Sequence, residues 1–329
     1  MRRATQADVA QLAGASKAVV SAVINDRHDG IRCSAATRER IWAAVRELGY
    51  VPNPVARRLA HGRSHLLGVF TYQPVFPVGE GDFYRPFLIG VEEEAERQGF
   101  DLLLFTRRHG ARRTIYHDGA NSLQLADGAV LFGAEEDKAE LAKLISQEFP
   151  FVYIGRRDVA GLSYVAADYL SATREVVSAM RARGHQRIAY LCSRGNREVA
   201  ADREAGYRAA YGGELDERLI VRVEDFATEF QALWNGGIRA FVTEGWFIGS
   251  AVLDHARGRS FRIPDDLSLA VLDDNAPPDA PDVTGFTIPK REMGAGAVRI
   301  LMDVFANPAE PRRIVLPCRF AAGTTVSAV

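Results

Sequence analysis

The stretch Thr5-Gln6-Ala7-Asp8-Val9-Ala10-Gln11-Leu12-Ala13-Gly14-Ala15-Ser16-Lys17-Ala18-Val19-Val20-Ser21 contains two helix starts and one helix stop. Thr5 followed three residues later by Asp8 is a capping box, in which hydroxyl and carboxylate each satisfy an orphan amide. Val9, Leu12 and Ala13 then make an apolar stripe. Gly14 breaks the helix, and Ser16 caps a second one. In that second helix Val20, Val23 and Ile24 repeat at helical spacing and should face the first. Two short helices joined by about four residues with a glycine form a helix-turn-helix. The outer face keeps Lys17, Ala18, Ser21, Ala22 and Asn25, whose small, polar and basic side chains allow a helix into the major groove of DNA. A merely solvated helix face would satisfy the same description.

Moving outward, Ser34 caps a third helix with Ile41, Trp42, Val45 and Leu48 inward and Gly49 closing it. In the following Tyr50-Val51-Pro52-Asn53-Pro54-Val55-Ala56-Arg57-Arg58-Leu59-Ala60, Asn53 can cap and Pro54 fits the first helical position. A helix over about 53–61 is too short to stand alone in water and should order only when something binds it. Arg57 and Arg58 offer phosphate contacts, and Leu59 is an apolar wedge for a minor-groove step.

The whole chain has 329 residues, 47% apolar and 25% charged, enough for two to three domains. Its net charge of -1 conceals an asymmetry: residues 1–63 hold 11 basic against 5 acidic side chains, and the remaining 30 basic face 37 acidic. A basic head on an acidic body is the pattern of a charge-steered arm attached to a sensing or catalytic body. The start lacks the apolar stretch of a secretory signal, and nowhere do ~18 apolar residues run together, so no membrane span is expected. Cys33, Cys192 and Cys318 are odd in number and far apart, which suits free thiols in a cytoplasmic protein.

Together with Thr37-Arg38-Glu39-Arg40-Ile41, Leu48-Gly49-Tyr50-Val51-Pro52-Asn53 and Ala56-Arg57-Arg58-Leu59, the opening stretch resembles the head of the lactose-repressor (LacI/GalR) family of transcription regulators. The resemblance implies that Lys17, Ala18 and Ala22 occupy base-reading positions. Thr5, Ser16, Ser21, Asn25, Asn53, Ala56 and Arg57 join them as expected DNA-binding residues, with Ser16, Ser21 and Asn25 at positions that hold phosphates or helix register. Leu59 matches the hinge leucine inserted at the centre of a palindromic operator. Ala22 stands where many members have Arg, removing a guanine contact worth about 1–3 kcal/mol. Val19 replaces a common Thr. The operator sequence therefore does not transfer.

Beyond the polar linker His61-Gly62-Arg63-Ser64, short apolar runs alternate with helical-period stretches: Leu66 to Phe70, Leu102 to Phe105, Gly128 to Phe132, Phe151 to Ile154, Arg187 to Leu191, Ala240 to Val242 and Leu267 to Leu272. Such alternation implies an α/β body with parallel sheets covered on both faces. The number of units implies two lobes, with ligands at the carboxyl ends of strands facing a cleft. The body resembles the same family's effector domain, similar to periplasmic sugar-binding proteins. Its markers are Asp127-Gly128, Tyr164 to Asp168, Gly184 to Tyr190, Asp202 to Tyr207 and Ile263 to Ser268.

The expected fold is thus an all-α helix-turn-helix head over 1–62 and a two-lobe periplasmic-binding-protein-like body over 63–329. Lobe one takes about 66–165 and 292–320, lobe two about 166–291 and 321–329. With no heptad after Val329, a dimer is favoured.

For the effector, Arg203 matches the family's clamping arginine and Asp273 the carboxylate opposite it; a structural ion pair bracing the lobes is the alternative. Phe226 falls where an aromatic often stacks on the ligand. Tyr72, Phe83, Tyr84 and Arg85 follow the first strand and should line the lobe-one wall, with Arg156 after the Ile154-Gly155 strand end; core packing is the rival role for the aromatics. Thr243-Glu244, in place of the usual Asn-Asp, and the insertion from Phe76 to Asp82 make a sugar effector an inference from the family only. No catalytic set competes. Gly79-Glu80-Gly81 and Gly294-Ala295-Gly296 lack the third glycine of a dinucleotide loop, and His109 and His117 lie in a basic loop, so neither cofactor nor metal is expected. The expected function is that of a repressor binding a palindromic operator as a homodimer, switched by a small-molecule effector. A stand-alone sugar-binding or sugar-processing protein with a vestigial head is the alternative.

Overall fold

The computed structural model describes residues 4–24, 33–51, 64–73, 83–108, 113–133, 136–195, 197–307 and 310–329. The chain divides into two compact units, Met1–His65 and Leu66–Val329.

The first unit holds α1 (Gln6–Ala13), α2 (Lys17–Ile24) and α3 (Ala35–Glu47). The Thr5 hydroxyl accepts the Asp8 amide at 3.3 Å, and the Asp8 carboxylate accepts the Thr5 amide at 2.8 Å. Gly14 stops α1 in the left-handed region at φ +61°, where glycine carries no steric penalty. The axes of α1 and α2 turn by 107°, the geometry of a helix-turn-helix. Val9, Ala13, Val20, Val23, Ile41, Ala44 and Tyr50 form the buried cluster. Two expected core residues are corrected: Leu12 is 46% exposed and Trp42 37% exposed. Each flanks a buried neighbour, Ala13 or Ile41, and one residue rotates the helix face by about 100°.

The second unit begins with β1 (Leu66–Phe70), α4 (Arg85–Arg97), β2 (Asp101–Phe105), the hairpin β3 (Tyr116–His117) and β4 (Ala120–Asn121), β5 (Gly128–Phe132), α5 (Lys138–Ser146), β6 (Phe151–Ile154) and β7 (Tyr164–Ala167). After Asp168 come α6 (Tyr169–Ala182), β8 (Ile188–Cys192), α7 (Glu198–Ala209), β9 (Ile220–Arg222), α8 (Phe226–Asn235), β10 (Ala240–Thr243), α9 (Trp246–Gly258), β11 (Ser268–Val271) and β12 (Thr284–Thr287). The chain closes with α10 (Lys290–Ala306), β13 (Arg313–Leu316) and β14 (Arg319–Ala321).

The strands make two six-stranded sheets, ordered β13-β7-β6-β5-β1-β2 and β14-β12-β11-β10-β8-β9. Within these two sheets every pairing is parallel except β12 with β14, and the hairpin β3–β4 stands apart as an antiparallel pair. Strands β5, β6, β8, β10 and β11 are buried at every residue, which explains why they read as continuous apolar runs instead of alternating. The chain passes between sheets three times, at Asp168, at Ile288-Pro289 and at Pro317-Cys318. The expected return of lobe one through residue 320 is corrected at its end. Arg319–Ala321 pairs antiparallel with β12, Gly285 opposite Ala321, and belongs to the second sheet.

α10 packs back on α4 at two facing glycines. A methyl on Gly90 would overlap the Arg291 carbonyl, and one on Gly294 would overlap the Phe87 carbonyl. Close backbone approach of the two helices is what these positions require.

Candidate functional site

In the head, α2 presents Lys17 and Ala18 to solvent next to exposed Ser16, whose hydroxyl accepts the Val19 amide at 3.3 Å. Ser21 is half-buried on the same side. Thr5 is exposed and serves in the α1 cap. Ala22, expected on the outer face, is 4% exposed and is corrected to a buried flank position; a methyl group there has no reach beyond its neighbours. Asn25, Asn53, Ala56, Arg57 and Leu59 lie outside the described residues.

In the body, the carboxyl ends of the two sheets face each other across a cavity of 250 Å³. Lobe one supplies a largely aromatic wall. Phe83 and Tyr84 precede α4, Phe87 follows in its first turn, and Phe132 ends β5. The rings interlock, with Tyr84 and Phe132 centroids 5.4 Å apart and Phe83 and Phe87 5.6 Å apart. The Tyr84 hydroxyl donates to Gln73 Oε1 at 2.9 Å, which fixes the ring. Lys290 is buried, lies 4.5 Å from the Phe83 centroid and pairs with Asp274 at 2.6 Å, tying this wall to the middle crossing.

Lobe two supplies charged and polar groups. Glu244 follows β10 and is 7% exposed; its Oε2 accepts both the amide and the hydroxyl of Ser193 at 2.7 Å. Asp273 stands just beyond β11, with Oδ1 accepting the Asn275 amide at 3.0 Å and its carbonyl accepting the Trp246 indole N–H at 3.0 Å. Arg203, from α7, lays its guanidinium 4.7 Å from the centroid of the Tyr169 ring. Burial pushes the Tyr169 hydroxyl up to about 12, so it stays a neutral donor at physiological pH. Arg203 and Asp273 both line the cavity, and the buried Arg203 Nε has no hydrogen-bond partner among the described residues. Arg157 also lines the cleft, but its guanidinium is committed to Glu136 at 2.9 Å and to the Gly133 carbonyl at 2.6 Å.

Four of the eight expected effector residues therefore meet in one place: Phe83, Tyr84, Arg203 and Asp273. The other four do not line it. Tyr72 packs edge-on to Phe70 at 4.9 Å, against the lobe-one cluster that holds Ile115, Leu123, Leu131 and Tyr153. Arg85 is exposed at the start of α4. Arg156 points outward to Asp202 at 2.8 Å. Phe226 begins α8 and packs on Phe230 and His255. It lines a separate 910 Å³ groove on lobe two, shared with Trp246, Pro277 and the 93% exposed Phe247. Residues that sequence reasoning missed include Phe132, Tyr169, Arg197 and Glu244. Phe132 and Glu244 sit at or just after strand ends, a signal that was available; Arg197 sits in a polar loop that gives none. Among the described residues no cluster of His, Cys, Asp and Glu could hold a metal ion, and no single helix is long and apolar enough to cross a membrane.

The comparisons with known proteins match both units. Residues 5–53 match the bacterial regulatory proteins of the lacI family. Residues 73–228 match the periplasmic binding proteins and sugar binding domain of the LacI family, and residues 177–326 a periplasmic binding protein-like domain. The chain is 30% identical to the HTH-type transcriptional regulator CelR of Thermobifida fusca, with 96% of each chain covered. A solved CelR–cellobiose complex is 26% identical with a TM-score of 0.65, covering 98% of this chain and 100% of that one. The lac repressor dimer bound to operator and the anti-inducer ONPF shares the fold, at 22% identity and a TM-score of 0.74, over 99% of this chain and 100% of that one. Both relatives are DNA-binding regulators by name. With the head, the body and nearly the full length accounted for, the chain belongs to the LacI family of DNA-binding transcription regulators.

Proposed function

We propose that this regulator is a repressor that binds a palindromic operator as a homodimer and takes a carbohydrate in the cleft between its lobes. The observation that carries the reading is the pairing of an aromatic wall, Phe83, Tyr84 and Phe132, with the hydrogen-bonding set Arg203, Glu244 and Asp273 opposite. A sugar ring has an apolar face and an equatorial rim of hydroxyls, which such a pair of walls matches. The cellobiose held by the related CelR agrees with that chemistry.

At the DNA, Lys17 and Ala18 are the base-reading candidates. Ser16 and Ser21 hold phosphates, and residues 53–61 form the hinge with Leu59 as its wedge. A second copy docks on the lobe-two groove around Phe247, since an aromatic side chain 93% exposed beside an apolar groove marks an interaction surface. Two-fold symmetry of the dimer then matches two-fold symmetry of the operator. Effector and operator are coupled because lobe one carries the hinge, and lobe closure alters the separation of the two hinge segments. The coupling is reciprocal: a sugar that weakens DNA binding is itself bound more weakly by the DNA-bound dimer.

Calorimetric titration with cellobiose, a pentose and a uronic acid, followed by operator-shift assays with whichever binds, tests this reading. Binding that changes operator affinity in either direction is the expected result, and its sign tells inducer from corepressor. Carbohydrate binding with unchanged operator affinity would refute the switch.

A further inference from the structure

Glu198 and Asp202 lie one helical turn apart in α7 of lobe two, and both reach across to lobe one. Asp202 Oδ1 accepts from Arg156 Nη2 at 2.8 Å and its Oδ2 from Arg156 Nε at 3.3 Å, a two-point pairing. Arg156 Nη1 is held by Asp158 Oδ1 at 2.9 Å, which aims the fork. Glu198 is 6% exposed; its Oε1 accepts Lys138 Nζ at 3.0 Å and the Asp158 amide at 3.1 Å, and its carbonyl accepts Arg156 Nη2 at 3.4 Å. Lys138 opens α5, and Arg156 and Asp158 follow β6, so all three belong to lobe one. None of the five lines the cavity, whose rim here consists of Gly155, Arg157, Arg197 and Ala200.

We infer that Lys138, Arg156, Asp158, Glu198 and Asp202 are positioning residues that form an ionic clasp, closing the cleft from outside and setting how much of the protein is closed before any effector arrives. The inference rests on the cleft being the effector site. A bond made only in the closed form adds its free energy to closure, and a ligand that needs the closed form binds in proportion to the closed fraction. Arg156 and Asp202 keep about a quarter of their surface in water, 29% and 27%, so salt screens the clasp. A neutral sugar therefore acquires a salt-dependent affinity without touching a charge of the clasp.

The Asp158 amide donates across the gap, so its hydrogen exchange reads the open fraction directly, in the full-length protein without ligand. Arg156→Gln and Asp202→Asn should each speed that exchange by about 5- to 30-fold. The double variant should be no faster than Arg156→Gln alone, because that substitution already removes the pairing with Asp202. Wild type in 1 M NaCl should approach the variants, while amides of β5 exchange equally in all, showing an intact fold. An Asp158 amide that exchanges at the unprotected rate in wild type, or that responds to neither substitution nor salt, overturns the clasp; additive effects in the double variant overturn the pairing. Cellobiose titrations at 50 mM and 1 M NaCl form the second arm. Affinity should fall with salt in wild type and by a similar factor in the variants, and an affinity equal in all four samples overturns the link to binding. If cellobiose does not bind at all, the carbohydrate reading of the cleft loses that ligand, while the exchange data still decide for or against the clasp.

Discussion

Gly90 of α4 and Gly294 of α10 face each other so closely that a methyl group on either would overlap a backbone carbonyl of the opposite helix. Neither carbonyl belongs to a flexible side chain that could yield. Gly294→Ala should therefore push the helices apart and strain the packing of Met293, Ala297 and Val298 in the lobe-one core. Overpacking of this kind costs about 1–3 kcal/mol. Denaturant unfolding of the full-length protein should show the loss, whereas Gly258→Ala, with open space around it, should be close to neutral.

Arg203 is the lobe-two cation stacked on Tyr169 and facing the cavity. Arg203→Ala should weaken effector binding by about 1.5–3 kcal/mol, the range for a hydrogen bond to a charged group. Operator affinity without effector should remain that of wild type. Operator-shift titrations with and without the sugar separate the two quantities, and an undiminished effector response would remove Arg203 from the site.

Lys17 is the exposed cation at the start of α2. Replacing it with alanine should cost about 1–3 kcal/mol of specific operator affinity if it reads a base edge. A phosphate contact would instead weaken all DNA sequences alike and lower the salt slope by about one. Binding isotherms on operator and random duplexes at several salt concentrations distinguish these outcomes.

Phe247→Asp should shift the protein from dimer to monomer in sedimentation experiments at micromolar concentration, since a carboxylate would be buried in an apolar interface. Effector affinity should persist, because Phe247 is not a lining residue of the cleft.

Burial pushes the Glu198 carboxyl up, but the amides of Asp158 and of Glu198 itself, with the Lys138 ammonium, outweigh it and hold the group at about 2. Its ordinary value is 4.5, so the carboxylate contributes stability that is complete above about pH 5 and is lost as pH falls through 2. Glu198→Gln should be less stable than wild type near neutrality, and the difference should narrow between pH 5 and 2. Unfolding curves across that range check the sign.

Much of the fold was legible because local chemistry and tertiary structure agree. Thr5, Asp8, Gly14 and Ser16 announce α1 and α2 by capping alone, and the apolar runs of β5 and β10, short and set between helical-period stretches, read as interior strands. Phe83 and Tyr84 could be placed in the cleft because they follow the first strand, and Arg203 and Asp273 because they match the effector-clamping pair of the family that the sequence resembles. Phe226 could not be excluded from it. The side of α8 that faces the cavity depends on how that helix packs against His255 and Phe230, residues distant in sequence or internal to the helix. Arg156 likewise follows a strand end as expected, yet Asp202, 46 positions away, draws it outward. Ala22 shows the same limit in the head: a small residue on a helix flank is buried or exposed according to its neighbours and not its own character.

The edge strands β13 and β14, residues 313–321, each complete a different sheet, β13 beside β7 and β14 beside β12. Until those residues leave the ribosome, both sheets end in bare, hydrogen-bonding margins of apolar strands, the kind of edge that pairs with other chains. Completion of the two sheets therefore waits for residues 313–321 to be made, while the three-helix head, whose described core lies within residues 4–50, can settle long before. A nascent repressor would acquire its DNA-contacting helices before it owns a finished sensor.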